Sequence, residues 1–194
     1  MKLGETLFVR NREAWRQWLE VNHAVKSEIW LVYHKKISGL PCIPYAAAVE
    51  EALCFGWIDS TMKTIDDTAA AQRYSPRRKN SRLSELNKER VRMLLSRGKM
   101  TKAGLESIRH HFEDFDKRIL KEFIIPDDIL DEIRRDQQRW NHYLSFPESY
   151  QRIRIAFIDD ARSRPEVFRQ RLNYFLKKTS EGKRFGSWAG DKPL

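Results

Sequence analysis

Apolar residues along this chain follow two different spacings, and the change between them divides it. Residues 11–22 carry Trp15, Trp18 and Leu19 at helical intervals, with Asn11 placed to cap the run, so they predict a helix. EIWLVYHKK at 28–36 is crowded with β-branched and aromatic residues and predicts a strand. SGLPCIP breaks that pattern, and Pro44 suits the first turn of a helix over 45–56. Tyr45, Ala48, Val49, Ala52 and Leu53 share one face of it, which places Glu50 and Glu51 on an opposite, solvated edge. WIDSTMKTID alternates and predicts a strand. DDT then turns the chain, AAAQRYS returns as the hairpin partner, and Pro76 ends it.

Beyond residue 82 only helical spacing recurs. A helix over 83–97 is closed by Gly98, and Thr101 caps another running to about His111. Residues 113–125 are mixed and include a loop. Pro126 opens a short helix to about Gln138, and Pro147 and Pro165 open helices near 147–163 and 165–178. The Gly-rich tail SEGKRFGSWAGDKPL predicts a loose end. The expected fold class is α+β: a small antiparallel sheet packed by helices, followed by an all-helical C-terminal segment. The expected division is an α+β domain at 1–122 and a helical module at 123–194.

Composition supports a packed core, since 41% of the 194 residues are hydrophobic and 11% aromatic, although 33% are charged. The longest uncharged run, Ile37 to Val49, is too short to cross a membrane and contains Pro41 and Pro44, so no transmembrane segment is expected. MKLGETLFVRNREAW lacks an apolar signal core, and Cys42 and Cys54 read as free buried thiols. Both point to a cytoplasmic location. Nothing in the sequence sets an oligomeric state.

Charge changes the picture more. Residues 71–102 hold eleven Lys/Arg against Glu85 and Glu89, and so carry nearly all of the net +10. In RYSPRRKNSR, Tyr74 is interleaved with Arg73, Arg77, Arg78 and Lys79, a mix that suits a polyanion such as nucleic acid or a phosphorylated ligand. A run of this kind also serves as a solvated, solubilising face. Arg77, Arg78, Lys79, Arg82, Lys88, Arg92 and Arg97 are expected to point outward or along the rim.

On the helix at 83–97, Asn87 and Arg90 fall within the apolar face, while Glu85, Glu89 and Arg92 point away. Arg90 either snorkels to the edge of that face or meets a carboxylate from the sheet, for which Asp59 is the candidate. A carboxylate so held stays charged, which suits structural or ligand-orienting work better than acid–base catalysis. Arg154 poses the same choice amid Tyr150, Ile153, Phe157 and Ile158. A second reading of the same residues is a small-molecule sensor or enzyme with a pocket lined by Trp57, Asp59, Arg73 and Asn87.

No cofactor or metal is expected. The chain has no GxxxxGK[ST] or GxGxxG loop and no G-x-S-x-G elbow. The adjacent His110 and His111 diverge by about 100° on a helix. Cys54 reads as a small core residue.

The blocks WRQWLEVNH, IWLVYHKK, AVEEALCFGWIDS, RYSPRRKNS, NKERV, GKMTKAGL and FPESYQRIRIAFIDDAR run in an order that resembles the YdeI/OmpD-associated, or bacteriocin-protection, proteins over about residues 8–186. The chain differs from the common pattern at Ser60, at Leu83 and at Val167-Phe168-Arg169. The resemblance implies a bacterial protein with a role in resistance to envelope-active toxins. It implies no reaction and no catalytic residue.

Overall fold

A computed structural model describes residues 3–35 and 39–186. Its contacts divide the chain into two units. The first comprises residues 1–82 and 90–120, the second 83–89 and 121–194.

The first unit is built on a four-stranded sheet of order β1-β2-β4-β3, from β1 (Thr6–Phe8), β2 (Ile29–His34), β3 (Trp57–Thr64) and β4 (Ala69–Pro76). β2, β4 and β3 pair antiparallel, as expected. The sheet as a whole is nevertheless mixed, because β1 adds a parallel edge with Leu7 opposite Leu31. Three residues are too few to show an alternating pattern, so this strand is not visible in the sequence. The β3–β4 turn is held by Asp66, whose Oδ1 accepts from the Thr68 and Ala69 amides at 2.7 and 2.9 Å.

Helix α1 (Arg12–Asn22) begins where Asn11 accepts from the Ala14 amide, and it buries Trp15 and Leu19. Helix α2 (Tyr45–Cys54) overturns the amphipathic reading. Every residue from Ala47 to Cys54 is buried, including Glu50 and Glu51 at 3% and 1% exposure. Alanines, a valine, a leucine and a cysteine surround the two glutamates, so the helix has no polar stripe and is a buried one. The carboxylates are compensated from α1. Arg12 reaches both Glu50 and Glu51, and Arg16 donates to Glu51 at 2.8 Å and to the Lys99 carbonyl at 3.2 Å. Burial opposes the charge on Arg12 and Arg16, but the glutamates outweigh it and raise both pKa values.

Gly56, at φ +75, turns the chain from α2 into β3, and a Cβ there would stand 2.9 Å from Ser107 Cβ. Thr101 caps helix α4 (Lys102–Ser107), and both its amide and its hydroxyl donate to the Cys54 carbonyl, at 3.1 and 2.6 Å. A Cβ on Gly104 would come within 2.2 Å of that same carbonyl, so α4 sits on the end of α2 only because residue 104 is glycine. Helix α3 (Glu85–Ser96) precedes it and ends at Gly98, φ +64, with the Lys99 amide bonded back to Leu94. Contrary to expectation, Glu85 and Glu89 on α3 are buried. A small antiparallel hairpin, β5 (Phe112–Asp114) with β6 (Ile119–Leu120), occupies the stretch read as mixed.

The second unit is helical: α5 (Asp127–Arg134), α6 (Gln137–Ser145), α7 (Glu148–Asp159) and α8 (Pro165–Ser180). The sequence reading ran one short helix from Pro126 to about Gln138 and did not predict α6. Asp136 separates α5 from α6, capping α6 by accepting from the Arg139 amide at 2.7 Å. Ile129, Ile133, Tyr143, Ile155, Ile158 and Phe175 form its core. The tail is less loose than predicted as far as it is described. The Phe185 amide donates to Tyr150 Oη at 3.1 Å, and its ring packs edge-on to Tyr150, Tyr174 and Phe175. Residues 187–194 of the tail, and Lys36 at the end of the predicted strand, lie outside the described residues.

Removing one partner of a buried ion network leaves the others uncompensated. Glu51→Ala is therefore expected to destabilise the first unit by about 3–5 kcal/mol in urea unfolding. Glu20→Ala, which removes an exposed partner of Arg16, should stay within about 0.5 kcal/mol.

Candidate functional site

Alternation along the β3–β4 hairpin places the sequence-predicted residues on opposite faces. Asp59 pairs with Tyr74 and Trp57 with Pro76, so these four share the face that packs on α1 and α2. A bulge follows. Ser60 and Thr61 lie between the pairs Asp59–Tyr74 and Met62–Gln72, opposite Arg73 alone. Arg73 points to the other face, where it pairs with Glu28 at 2.6 Å. Arg73 and Asp59 are thus back to back and do not line one pocket, while Asn87 is buried on α3.

Asp59 is half-buried, and its hydrogen bond comes from Tyr45 Oη at 2.5 Å rather than from Arg90. Arg90 is buried, and burial pushes its pKa down against the charges of Glu50, Tyr45 and Asp59. Tyr74, expected to offer its ring to a partner, is fully buried against Trp15, with its hydroxyl 3.0 Å from that of Tyr33. Lys88, expected to face outward, is mostly buried in an ion pair with Glu85 at 3.1 Å. Cys54 is a core thiol, its pKa pushed up to about 12 by burial and by Glu51.

Of the remaining basic residues, Arg77 and Lys79 line a groove in the first unit of about 730 Å³. Its apolar wall is Phe55, Trp57 and Pro76, and its polar rim includes Arg77, Lys79, Arg109 and His110, with Glu106 beside Arg109. Trp57 is fixed by its indole N–H, which donates to the His23 carbonyl at 3.1 Å. Arg77 is half-buried and folded back, donating through Nη2 to the Arg82 carbonyl at 2.8 Å, while its Nε is buried without a hydrogen-bond partner. Burial lowers its pKa, and the charge of Asp59 offsets only part of that. No carboxylate bonds to it among the described residues. His110 and His111 both donate from Nε2 to the Ser81 carbonyl, at 3.1 and 3.0 Å, and so pin the loop carrying Arg78, Lys79 and Arg82. Those three cations are exposed, as are Arg97, Lys99 and Lys102. Among the described residues no group of three or more potential ligands could hold a metal.

Sequence reasoning missed Arg109 and His110 in this rim. Adjacent histidines give no metal spacing, and nothing local marks them as clamps on a loop thirty residues earlier. Arg12 and Arg16, at i and i+4 on one helix face, were a legible signal for a paired-carboxylate partner.

The chain is thus a two-unit α+β protein whose first unit carries a groove rimmed by cations. It belongs to the family described as Domain of unknown function (DUF8412), whose model matches residues 7–107, just over half of its length. Residues 122–182 match a second family, Bacteriocin-protection, YdeI or OmpD-Associated. The resemblance read from the sequence is thereby found, with its match confined to the C-terminal helices. The ALCFGWID and SPRRKNS blocks fall in the other family's span. No curated protein and no solved structure matches the chain.

Tyr33, Tyr45 and Tyr74 are all held protonated well above the ordinary tyrosine value, burial being the largest cause for each. Their folded pKa values are raised, so this stabilisation is complete below about pH 10 and is lost as pH climbs past it. In an absorbance titration of the native protein these three should stay un-ionised at about pH 11 and appear only on unfolding. Ionisation of all six tyrosines in one step near pH 10 would contradict this.

Proposed function

We propose that the first unit is a non-catalytic binding module for an anionic, phosphate-bearing polymer, engaged at the groove centred on Arg77. The observation that carries this is the state of that guanidinium. It is half-buried, lacks a carboxylate, has an unsatisfied Nε, and lines a groove whose rim adds Lys79, Arg109 and His110. Among the described residues, Arg109 alone in that rim has an acidic partner, Glu106 at 3.3 Å. A buried cation without an anion is costly, and a phosphate oxygen supplies the missing partner. Arg78 and Arg82, exposed beside the groove, extend the positive surface along a chain-like ligand. Binding through backbone charge is sequence-tolerant, because it reads no base edge.

The match of residues 122–182 to a family described as bacteriocin protection supports a role for this binding in resistance to toxins. We place the protein in the cytoplasm, where its two free cysteines suit a reducing compartment.

The test is fluorescence anisotropy with a labelled single-stranded oligonucleotide, titrated across salt. Contact with about four phosphates gives a log–log slope of roughly −2.8 on a single strand. Changing Arg77, Arg78 and Lys79 together to alanine should flatten that slope by about two, with little change in unfolding midpoint. No binding by the unaltered chain at about 50 mM salt overturns the reading.

A further inference from the structure

The second unit repeats the anomaly of Arg77 in a different setting. Arg154 lies on α7 between buried Ile153 and Ile155. Other arginines on and just after α7 are well provided for. Arg152 takes Glu89 at 2.9 Å and Glu148 at 3.2 Å, and Arg162 takes Asp128 and Asp159. Arg154 takes no hydrogen bond or ion pair among the described residues, and its Nε is buried without a partner. Burial lowers its pKa accordingly.

The guanidinium is nevertheless held in place. It lies over the rings of Tyr150 and Phe185, 5.4 and 5.1 Å from their centroids. It also lies against Gly186, where a Cβ would come within 2.7 Å of Nη1. Gly186 is at φ +77, so both the turn and the close approach call for glycine. A snorkelling arginine reaches water by its own flexibility and needs no such seat.

Arg154 lines a cavity of about 350 Å³. Leu86, Ile153, Ala156 and Phe157 supply its apolar wall, and Glu85 and Asp160 lie at the same cavity. Glu85 is already paired with Lys88. The volume is at the small end for a ligand cleft, and the two acids repel a dianion.

We propose that this cavity is a binding site for a small monocarboxylate with an apolar body, its carboxylate paired with Arg154 and its hydrocarbon set against Ile153 and Phe157. An arginine fork matches a carboxylate in two parallel hydrogen bonds, and Arg154 has no such partner among the described residues. The site is independent of the groove in the first unit.

The probe is phenylacetate, with 2-phenylethanol and phenyl phosphate as the neutral and dianionic counterparts, added to the whole chain and followed by calorimetry and thermal shift. Phenylacetate should bind saturably and raise the melting temperature, and the two counterparts should bind at least about tenfold more weakly. Arg154→Met keeps length and apolar bulk. It should weaken phenylacetate by about tenfold or more while leaving the melting temperature of the free protein unchanged or higher, because it deletes an unpaired charge. Arg154→Lys keeps charge without the fork and should fall between. Equal binding of all three probes, no saturable binding of phenylacetate, or retained affinity in Arg154→Met overturns the proposal. So does a marked loss of melting temperature in Arg154→Met with affinity intact in Arg154→Lys, which would make the residue structural.

Discussion

The first unit depends on two adjacent buried carboxylates. Glu50 and Glu51 lie in a helix that has no solvent face, so their charge cannot be carried to water and has to be met inside. Arg12 and Arg16 meet it, and in doing so fix the rotation of α1 on α2. Arg16 continues to the Lys99 carbonyl, the link into α4, while the Cys54 carbonyl at the end of α2 receives Thr101. One helix therefore sets the positions of α1, α4 and the start of β3. A hydrophobic helix in its place could slide by a turn at small cost, whereas ion pairs of this geometry hold one register.

That arrangement also explains where the positive charge goes. Residues 71–102 look uniformly basic, but several of those cations are consumed within the fold. Arg73 is used by Glu28 and Lys88 by Glu85, while Arg90 lies within the field of Glu50 and Asp59. The part left for a partner is smaller than the net charge suggests and includes Arg78 and Lys79, on a loop clamped by His110 and His111. A clamped loop presents its charges with less ordering cost on binding than a free one.

Much of this fold is legible in the sequence because its signals are local. The Asn11 and Thr101 caps, the Asp66 turn, and Gly98 as terminator act within a few residues. What was not legible depends on partners distant in sequence. Glu50 and Glu51 were assigned to solvent by analogy with amphipathic helices, although a helix of Ala, Val, Leu and Cys on every side is one that other elements surround. Tyr74 was assigned to a ligand because it sits among arginines, yet alternation along β4 sends it inward and Arg73 outward. Strand β1 and helix α6 were too short, or too weakly patterned, to separate from their surroundings.

Arg77 and Arg154 are informative because other guanidiniums of both units are given carboxylate partners. Carboxylates from α2, α3, α5 and α7 reach Arg12, Arg16, Arg152 and Arg162, so acidic partners are not scarce in either unit. A cation kept partly buried without one lowers stability, and a single substitution to methionine or leucine would remove the cost. Arg77 and Arg154 each line a cavity, and each has a side chain fixed by other means: carbonyls for Arg77, two rings and a glycine for Arg154. A charge that is positioned but left unneutralised is the arrangement expected of a binding site without its ligand, since groups arranged for an absent partner are destabilising until it arrives.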